Sequence, residues 1–228
     1  MNCVIYYSNT GHSKRIAEYF ARQTGYELLD LTTLCGYEFE TAILVFPIHC
    51  QNIPRAVKTA LNKICATALV MIATYGKMSY GNVLYEIQNN YQHNIIAAAY
   101  VPTQHSYVPD PLDEFNDFAS LDAIIKKLDD PSPVTIPKSS KNPFSDFFPD
   151  FRSRLGVKLF KDENCDNCGV CNTTCAEHAI KNGKPNKNCI RCLKCVTVCP
   201  QNSLHFSNRL PMRIYLRKKK VDRLIIYV

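Results

Sequence analysis

The chain has 228 residues, 27 Lys and Arg against 20 Asp and Glu, a formal net charge of +7, and 12 cysteines. This length admits one large domain or two smaller ones of about 100–200 residues each. The charge excess is local, since seven basic residues and one acid, Asp222, fall between Arg209 and Arg223, so a nucleic-acid partner is not implied.

The segment Met1 to Tyr7 has no basic n-region, long apolar run or small-residue cleavage site, so it does not read as a signal peptide. No run approaches the ~18 apolar residues of a transmembrane helix. A cytoplasmic protein with reduced thiols is expected, and in that setting clustered cysteines bind metal more often than they form disulfides. Residues 1–130 alternate between strand-like and helix-like segments. Short apolar runs at Val4–Tyr7, Ala42–Phe46, Ala68–Ala73 and Asn94–Tyr100, with a weaker one at Glu27–Leu31, have strand length. Between and after them, helical patterns occupy 13–24, 54–64, 80–92 and 111–128. In the last, Asp110 can cap, Pro111 suits the first position, and Leu112, Phe115, Phe118, Leu121, Ile125 and Leu128 recur at helical spacing. This alternation predicts an α/β fold, a parallel sheet with helices on both faces.

The first strand runs into Ser8-Asn9-Thr10-Gly11-His12-Ser13 at the start of a helix. A hydroxyl-rich strand-to-helix loop suits a phosphate, because N–H groups at the helix start and nearby hydroxyls all donate. An ordinary Ser/Thr/Gly turn with an N-cap is the alternative. Two more loops follow predicted strands, Pro47-Ile48-His49-Cys50-Gln51-Asn52-Ile53-Pro54 and Thr74-Tyr75-Gly76-Lys77-Met78-Ser79-Tyr80-Gly81-Asn82, at the edge where open α/β sheets collect ligands. On these residues the segment resembles the flavodoxin-like family. Ser8, Thr10, Gly11 and Ser13 match its FMN phosphate loop, and the other two segments look like its ring-flanking loops. The resemblance implies a doubly wound sheet of order 2-1-3-4-5 with FMN at its C-terminal edge. Ser8, Asn9, Thr10, Gly11, His12, Ser13, Pro47, His49 and Thr74 would lie beside it, with Tyr75 or Tyr80 stacking and the backbone near Gly76 facing the ring. No base-and-orienter arrangement supports a nucleophilic Cys50. It reads as a small buried thiol, and Cys3, Cys35 and Cys65 as small hydrophobes.

From residue 131 to 157 the pattern collapses into a linker punctuated by Pro131, Pro133, Pro137, Pro143 and Pro149. Phe144, Phe147, Phe148 and Phe151 imply that part of it packs on one domain or positions the modules.

Eight cysteines then form two runs, Cys165-x2-Cys168-x2-Cys171-x3-Cys175 and Cys189-x2-Cys192-x2-Cys195-x3-Cys199, each cysteine recurring 24 residues on. The match extends beyond them, since Ala179-Ile180 maps onto Ser203-Leu204. This is an internal duplication. Structural zinc sites usually show two paired C-x2-C ends instead. Val170, Ile180, Ile190, Leu193, Val196, Val198 and Leu204 would keep the site dry. Residues 158–208 resemble the bacterial two-cluster ferredoxins, a small α+β domain with two [4Fe-4S] clusters. In that family the last cysteine of each run serves the other cluster, which implies one set of Cys165, Cys168, Cys171 and Cys199 and another of Cys189, Cys192, Cys195 and Cys175. Ala176 stands where the second run has Pro200.

The module order resembles flavodoxin-fused ferredoxins of anaerobic prokaryotes. It implies an electron carrier exchanging single electrons among two clusters, FMN and redox partner proteins. A flavin-dependent reductase fed by the clusters and a ferredoxin with a flavin-free docking domain are the alternatives. No dinucleotide fingerprint supports NAD(P)H use. The basic tail, 209–228, is expected to be solvated, its apolar end packed on the ferredoxin module. Its sharper reading is a docking patch for an acidic redox partner or a membrane surface.

Overall fold

The computed structural model describes the whole chain except Pro109, Pro111, Leu112 and Phe148, with backbone alone at Pro149 and Asp150. It divides into two compact units, Met1–Ser145 with Lys220–Val228, and Asp146–Lys219.

In the first unit, β1 (Asn2–Tyr6), α1 (His12–Thr24), β2 (Glu27–Asp30), β3 (Glu38–Pro47), α2 (Arg55–Leu61), β4 (Cys65–Tyr75), α3 (Val83–Asn90), β5 (Ile95–Pro102) and α4 (Asp122–Lys127) follow in order. The five strands pair in parallel as β2-β1-β3-β4-β5. The strand-helix alternation produces this, because a parallel partner must be reached by a crossover. Both faces are covered, so the central strands are apolar throughout rather than alternating. Ile5, Leu44 and Met71 face α2 and α3. Val4, Ile43 and Val70 face α1 and α4, packing with Ile16, Phe20, Leu121 and Ile124.

Three expectations are corrected. Among the described residues of the helix expected over 111–128, the α-helix is Asp122–Lys127, preceded by a 3-10 turn at Ala119–Leu121. Its expected cap-adjacent residues Pro111 and Leu112 lie outside the described residues. Asp117 stops the helix extending backwards, because its carboxylate accepts from the Ser120 amide at 3.4 Å and its hydroxyl at 2.6 Å, a local bond that competes with helix. Phe115 and Phe118 pack against one another in irregular backbone, and Phe118 meets Tyr19 of α1. Second, the phenylalanines of the 131–157 segment do not anchor it. Phe144, Phe147 and Phe151 are exposed, and Val134 and Ile136 pack instead. There the Val134 amide donates to the Ile95 carbonyl and the Ile136 amide to Gln88. Phe148 lies outside the described residues. Third, the apolar end of the tail, expected on the cysteine-bearing unit, belongs to the first unit. Ile225–Tyr227 is a strand antiparallel to β5, which satisfies the exposed hydrogen-bonding edge of that strand.

The second unit contains α5 (Pro149–Gly156), β6 (Val157–Lys161), α6 (Val170–Thr173), β7 (Ile180–Lys181), β8 (Lys184–Pro185), α7 (Lys194–Thr197), β9 (Leu204–Asn208) and α8 (Leu210–Leu216). Antiparallel pairs β6-β9 and β7-β8 frame the cysteine runs. Among the described residues no helix is long and apolar enough to cross a membrane.

One buried bond in the first unit is a clean test of this packing. The Tyr100 hydroxyl, in β5, accepts from the Leu84 amide at 2.9 Å near the start of α3. Tyr100→Phe strands that donor, at a cost of about 1–3 kcal/mol. The urea midpoint of the first unit is expected to fall with its m-value unchanged.

Candidate functional site

Parallel pairing brings the C-terminal ends of β1, β3, β4 and β5 to one edge. The loops that leave them converge there. Gly11 ends the first loop at φ +94°, in the left-handed region where glycine is unstrained. No side chain caps α1, so its first N–H groups remain available to an anion. The Gly11 amide donates to the Ser8 hydroxyl at 3.1 Å, which closes the turn. The Ser13 and Thr74 hydroxyls meet at 2.8 Å in a buried position, linking the first and third loops. Asn9 Nδ2 lies 3.4 Å from His49 Nε2, linking the first and second. Pro47 ends β3 opposite Thr74 of β4. His12 is partly buried at the helix start, and burial lowers its pKa. The residues read as a phosphate loop are thus brought together with His49 and Thr74.

The residues expected at a flavin ring are engaged otherwise. Tyr75 is 2% exposed. Its hydroxyl donates to the Arg223 carbonyl at 2.7 Å and accepts from the Arg223 amide at 3.2 Å, and burial pushes its pKa up to about 12. Tyr80 packs edge-on against Tyr75 and at 4.5 Å between ring centroids on Tyr100. At Gly76 a Cβ would stand 2.7 Å from the His105 ring. That imidazole accounts for the glycine here and covers the backbone expected to face the flavin. The tail closes over the same loop. Lys77 pairs with Asp222 at 2.9 Å and Asp113 at 3.0 Å, and the Val221 amide donates to the Lys77 carbonyl.

His105 and Ser106 were missed in sequence. Ser106 meets the Thr10 hydroxyl at 3.0 Å, so a fourth loop, after β5, shares the edge. The rule that ligands collect at C-terminal strand ends covers this loop equally. The expectation for the scattered cysteines holds for Cys3 alone. Cys35, Cys50 and Cys65 are exposed. Cys50 is lifted out by a tight turn with Gln51, both at positive φ, and Cys65 opens β4 at the strand's outer end.

In the second unit one cavity is lined by Cys165, Cys168, Cys171 and Cys199, together with Gly183 and Leu204. These thiols come from both runs. The other four are also neighbours. Burial pushes the Cys192 thiol up to about 11, and the Cys189 and Cys175 sulfurs push it the same way. Cys195 is pushed up to about 12, first by burial and then by Cys192, Cys189, Cys175 and Cys171. Cys171 belongs to the first set, so the two sets adjoin. Among the described residues no three Cys, His, Asp or Glu side chains close on a single ion. A four-iron core takes one thiolate per iron, so its ligands need not meet at a point. Sulfurs that resist ionising together fit a cationic core, because metal coordination deprotonates thiols outright. Backbone geometry repeats with the sequence. Asn167 and Arg191 sit at φ +60° and +59°, Gly169 and Leu193 at +82° and +65°, His178 and Asn202 at +46° and +50°. Of the residues expected to dry the site, Ile180, Leu193 and Leu204 are buried, while Val170, Ile190, Val196 and Val198 are half-buried.

No protein-family model matches this chain, and no curated protein matches it.

Burial holds His105 at about 4, below its ordinary 6.5, with His12 adding to the effect. The unfolded chain therefore takes up a proton near 6.5 that the folded chain refuses until about 4. Stability from neutral His105 is complete above 6.5 and is lost as pH falls toward 4. His12 and His93 shift the same way, so His105→Gln is expected to flatten the decline in unfolding midpoint over that window, not abolish it. An unchanged slope would count against a buried neutral His105.

Proposed function

We propose that this chain is an electron-transfer protein of the flavodoxin-fused two-cluster ferredoxin kind. One [4Fe-4S] cluster would be held by Cys165, Cys168, Cys171 and Cys199, the other by Cys175, Cys189, Cys192 and Cys195. The observation that carries this reading is the cavity in which Cys199 of the second run joins three thiols of the first. Such clusters, when bound, supply one-electron chemistry, which bound FMN would couple to two-electron exchange. The protein's own part is to orient and desolvate. The Ala179 amide donates to Cys175 Sγ at 3.3 Å. Leu193, Ile180 and Leu204 exclude water. The uncapped start of α1, with Ser8, Thr10 and Ser13 around it, would receive the FMN phosphate. A second reading, in which the flavodoxin-like domain serves as a flavin-free docking module, is favoured by the cover that His105 places on Gly76 and by the Tyr75 bonds to Arg223. Exposed Arg213, Arg217, Lys218 and Lys219 would meet an acidic redox partner.

Anaerobic purification with iron, sulfide and flavin analysis tests the proposal, about eight irons per chain being expected. Paired substitutions test the thiol sets. If ligation is crossed, Cys165→Ala with Cys199→Ala removes one cluster and leaves about four irons. If each run serves its own cluster, the same pair damages both. FMN at unit stoichiometry would exclude the docking-module reading, and its absence the coupled one.

A further inference from the structure

We infer that Lys161 sets the reduction potential of the cluster at Cys165, Cys168, Cys171 and Cys199, an inference that rests on the cluster reading above. Lys161 ends β6, paired with Leu204 of β9. Its Nζ lies 2.9 Å from Asn167 Oδ1 and 3.8 Å from Cys165 Sγ, within reach of an N–H···S bond. The stem is guided there by Gly183. A Cβ at that glycine would stand 2.8 Å from Lys161 Cδ and 3.2 Å from its Cβ. The lysine thus crosses a gap kept open by a buried glycine and delivers its ammonium to one thiol.

The two sets differ in this respect. Near the second set the Lys194 charge also acts on Cys192, but Lys194 bonds that sulfur through its backbone amide. The first set also has an acid close by, Asp166. Its carboxylate is engaged by the Cys168 amide at 3.0 Å and Gln201 Nε2 at 3.1 Å. Lys161 is thus a side-chain cation that donates directly to a ligand sulfur. An electron delivered from outside makes the thiolates more negative, and no bond forms or breaks. An ammonium donating to one of them stabilises the added charge, and charge-assisted bonds are the stronger class. Hydrogen bonds to sulfur are among the factors that set cluster potentials.

The test is an EPR-monitored redox titration of the loaded full chain with dithionite, at fixed ionic strength. In Lys161→Gln, one of the two couples is expected to become harder to reduce by roughly tenfold in equilibrium constant, about 59 mV for one electron. The other should hold its place. Lys161→Arg should restore most of the shift. Gly183→Ala, with the lysine intact, should move the same couple in the same direction. Lys161→Met serves if the glutamine variant loads poorly. Unmoved couples in an eight-iron variant, or equal shifts in both, overturn the role of Lys161 while leaving the clusters in place. A wild-type chain that holds no iron overturns the cluster reading, and this inference with it.

Discussion

Sulfurs packed beside one another cannot all ionise unless positive charge is placed among them. The second unit is organised around that constraint. Burial and neighbouring sulfurs hold Cys192 and Cys195 far above the ordinary thiol range. At neutral pH these two stay protonated and hold little attraction for their neighbours. The apolar core cannot substitute for them. Among the described residues of Asp146–Lys219 it consists of Val157, Leu159, Ala179, Ile180, Leu193 and Leu204, with Cys189 and Cys195. Small domains with so little interior generally depend on cross-links or metals. When ligands exist as a set only in the folded chain, the free energy of metal binding becomes folding free energy. The proposed clusters would therefore act as the unit's missing core as well as its redox centres.

The duplication shows how the chain meets this demand twice. Each run turns sharply with left-handed backbone at equivalent positions, as thiols with two residues between them would need in order to share a proposed centre. In the first run Gly169 takes that conformation without strain. In the second, Leu193 takes it at φ +65°, where a side chain costs roughly 1–2 kcal/mol. Leu193 is 3% exposed, and burying a leucine contributes about 1.5–3 kcal/mol. The two effects are of similar size, so the second run exchanges backbone ease for core. The first run keeps the glycine and leaves one of its thiols, Cys168, exposed.

What could be read in sequence divides by the range of the interaction. Five parallel strands were legible because each apolar run is local and parallel pairing follows from the crossovers, while their order 2-1-3-4-5 came from the flavodoxin-like resemblance of the loops that follow them. The two cysteine runs were legible because spacing and repetition are local, while their division into crossed sets rests on the resemblance to two-cluster ferredoxins. Lys161 was not, since its approach to Cys165 depends on Gly183 lying beside it in space. The helix expected from residue 111 failed on a local competitor, the Asp117 carboxylate, which periodicity does not register. The tail strand failed because a three-residue apolar end beside a basic cluster carries no strand signal until the open edge of β5 is known. Gly76 had a glycine's conformational reading available and a packing reason in fact, the His105 ring.

The first unit sets two halves of the candidate site against one another, and the residues locate the conflict. Anion recognition needs only the start of α1 and hydroxyls already held by neighbours, so that half is rigid and available. Ring recognition needs the 74–82 loop open on one side. There the His105 ring covers Gly76, and the tail bonds to Tyr75 and Lys77. The tail is fixed by the Tyr75 hydroxyl, by Lys77 and by the pairing of Ile225–Tyr227 with β5, so lifting it off the loop would also open a strand edge. His105 is dry and neutral, and its Nδ1 accepts from the Tyr107 amide at 3.2 Å. Displacing the imidazole would leave the strand pairing intact, whereas displacing the tail would not. A ligand bearing a phosphate alone would displace neither.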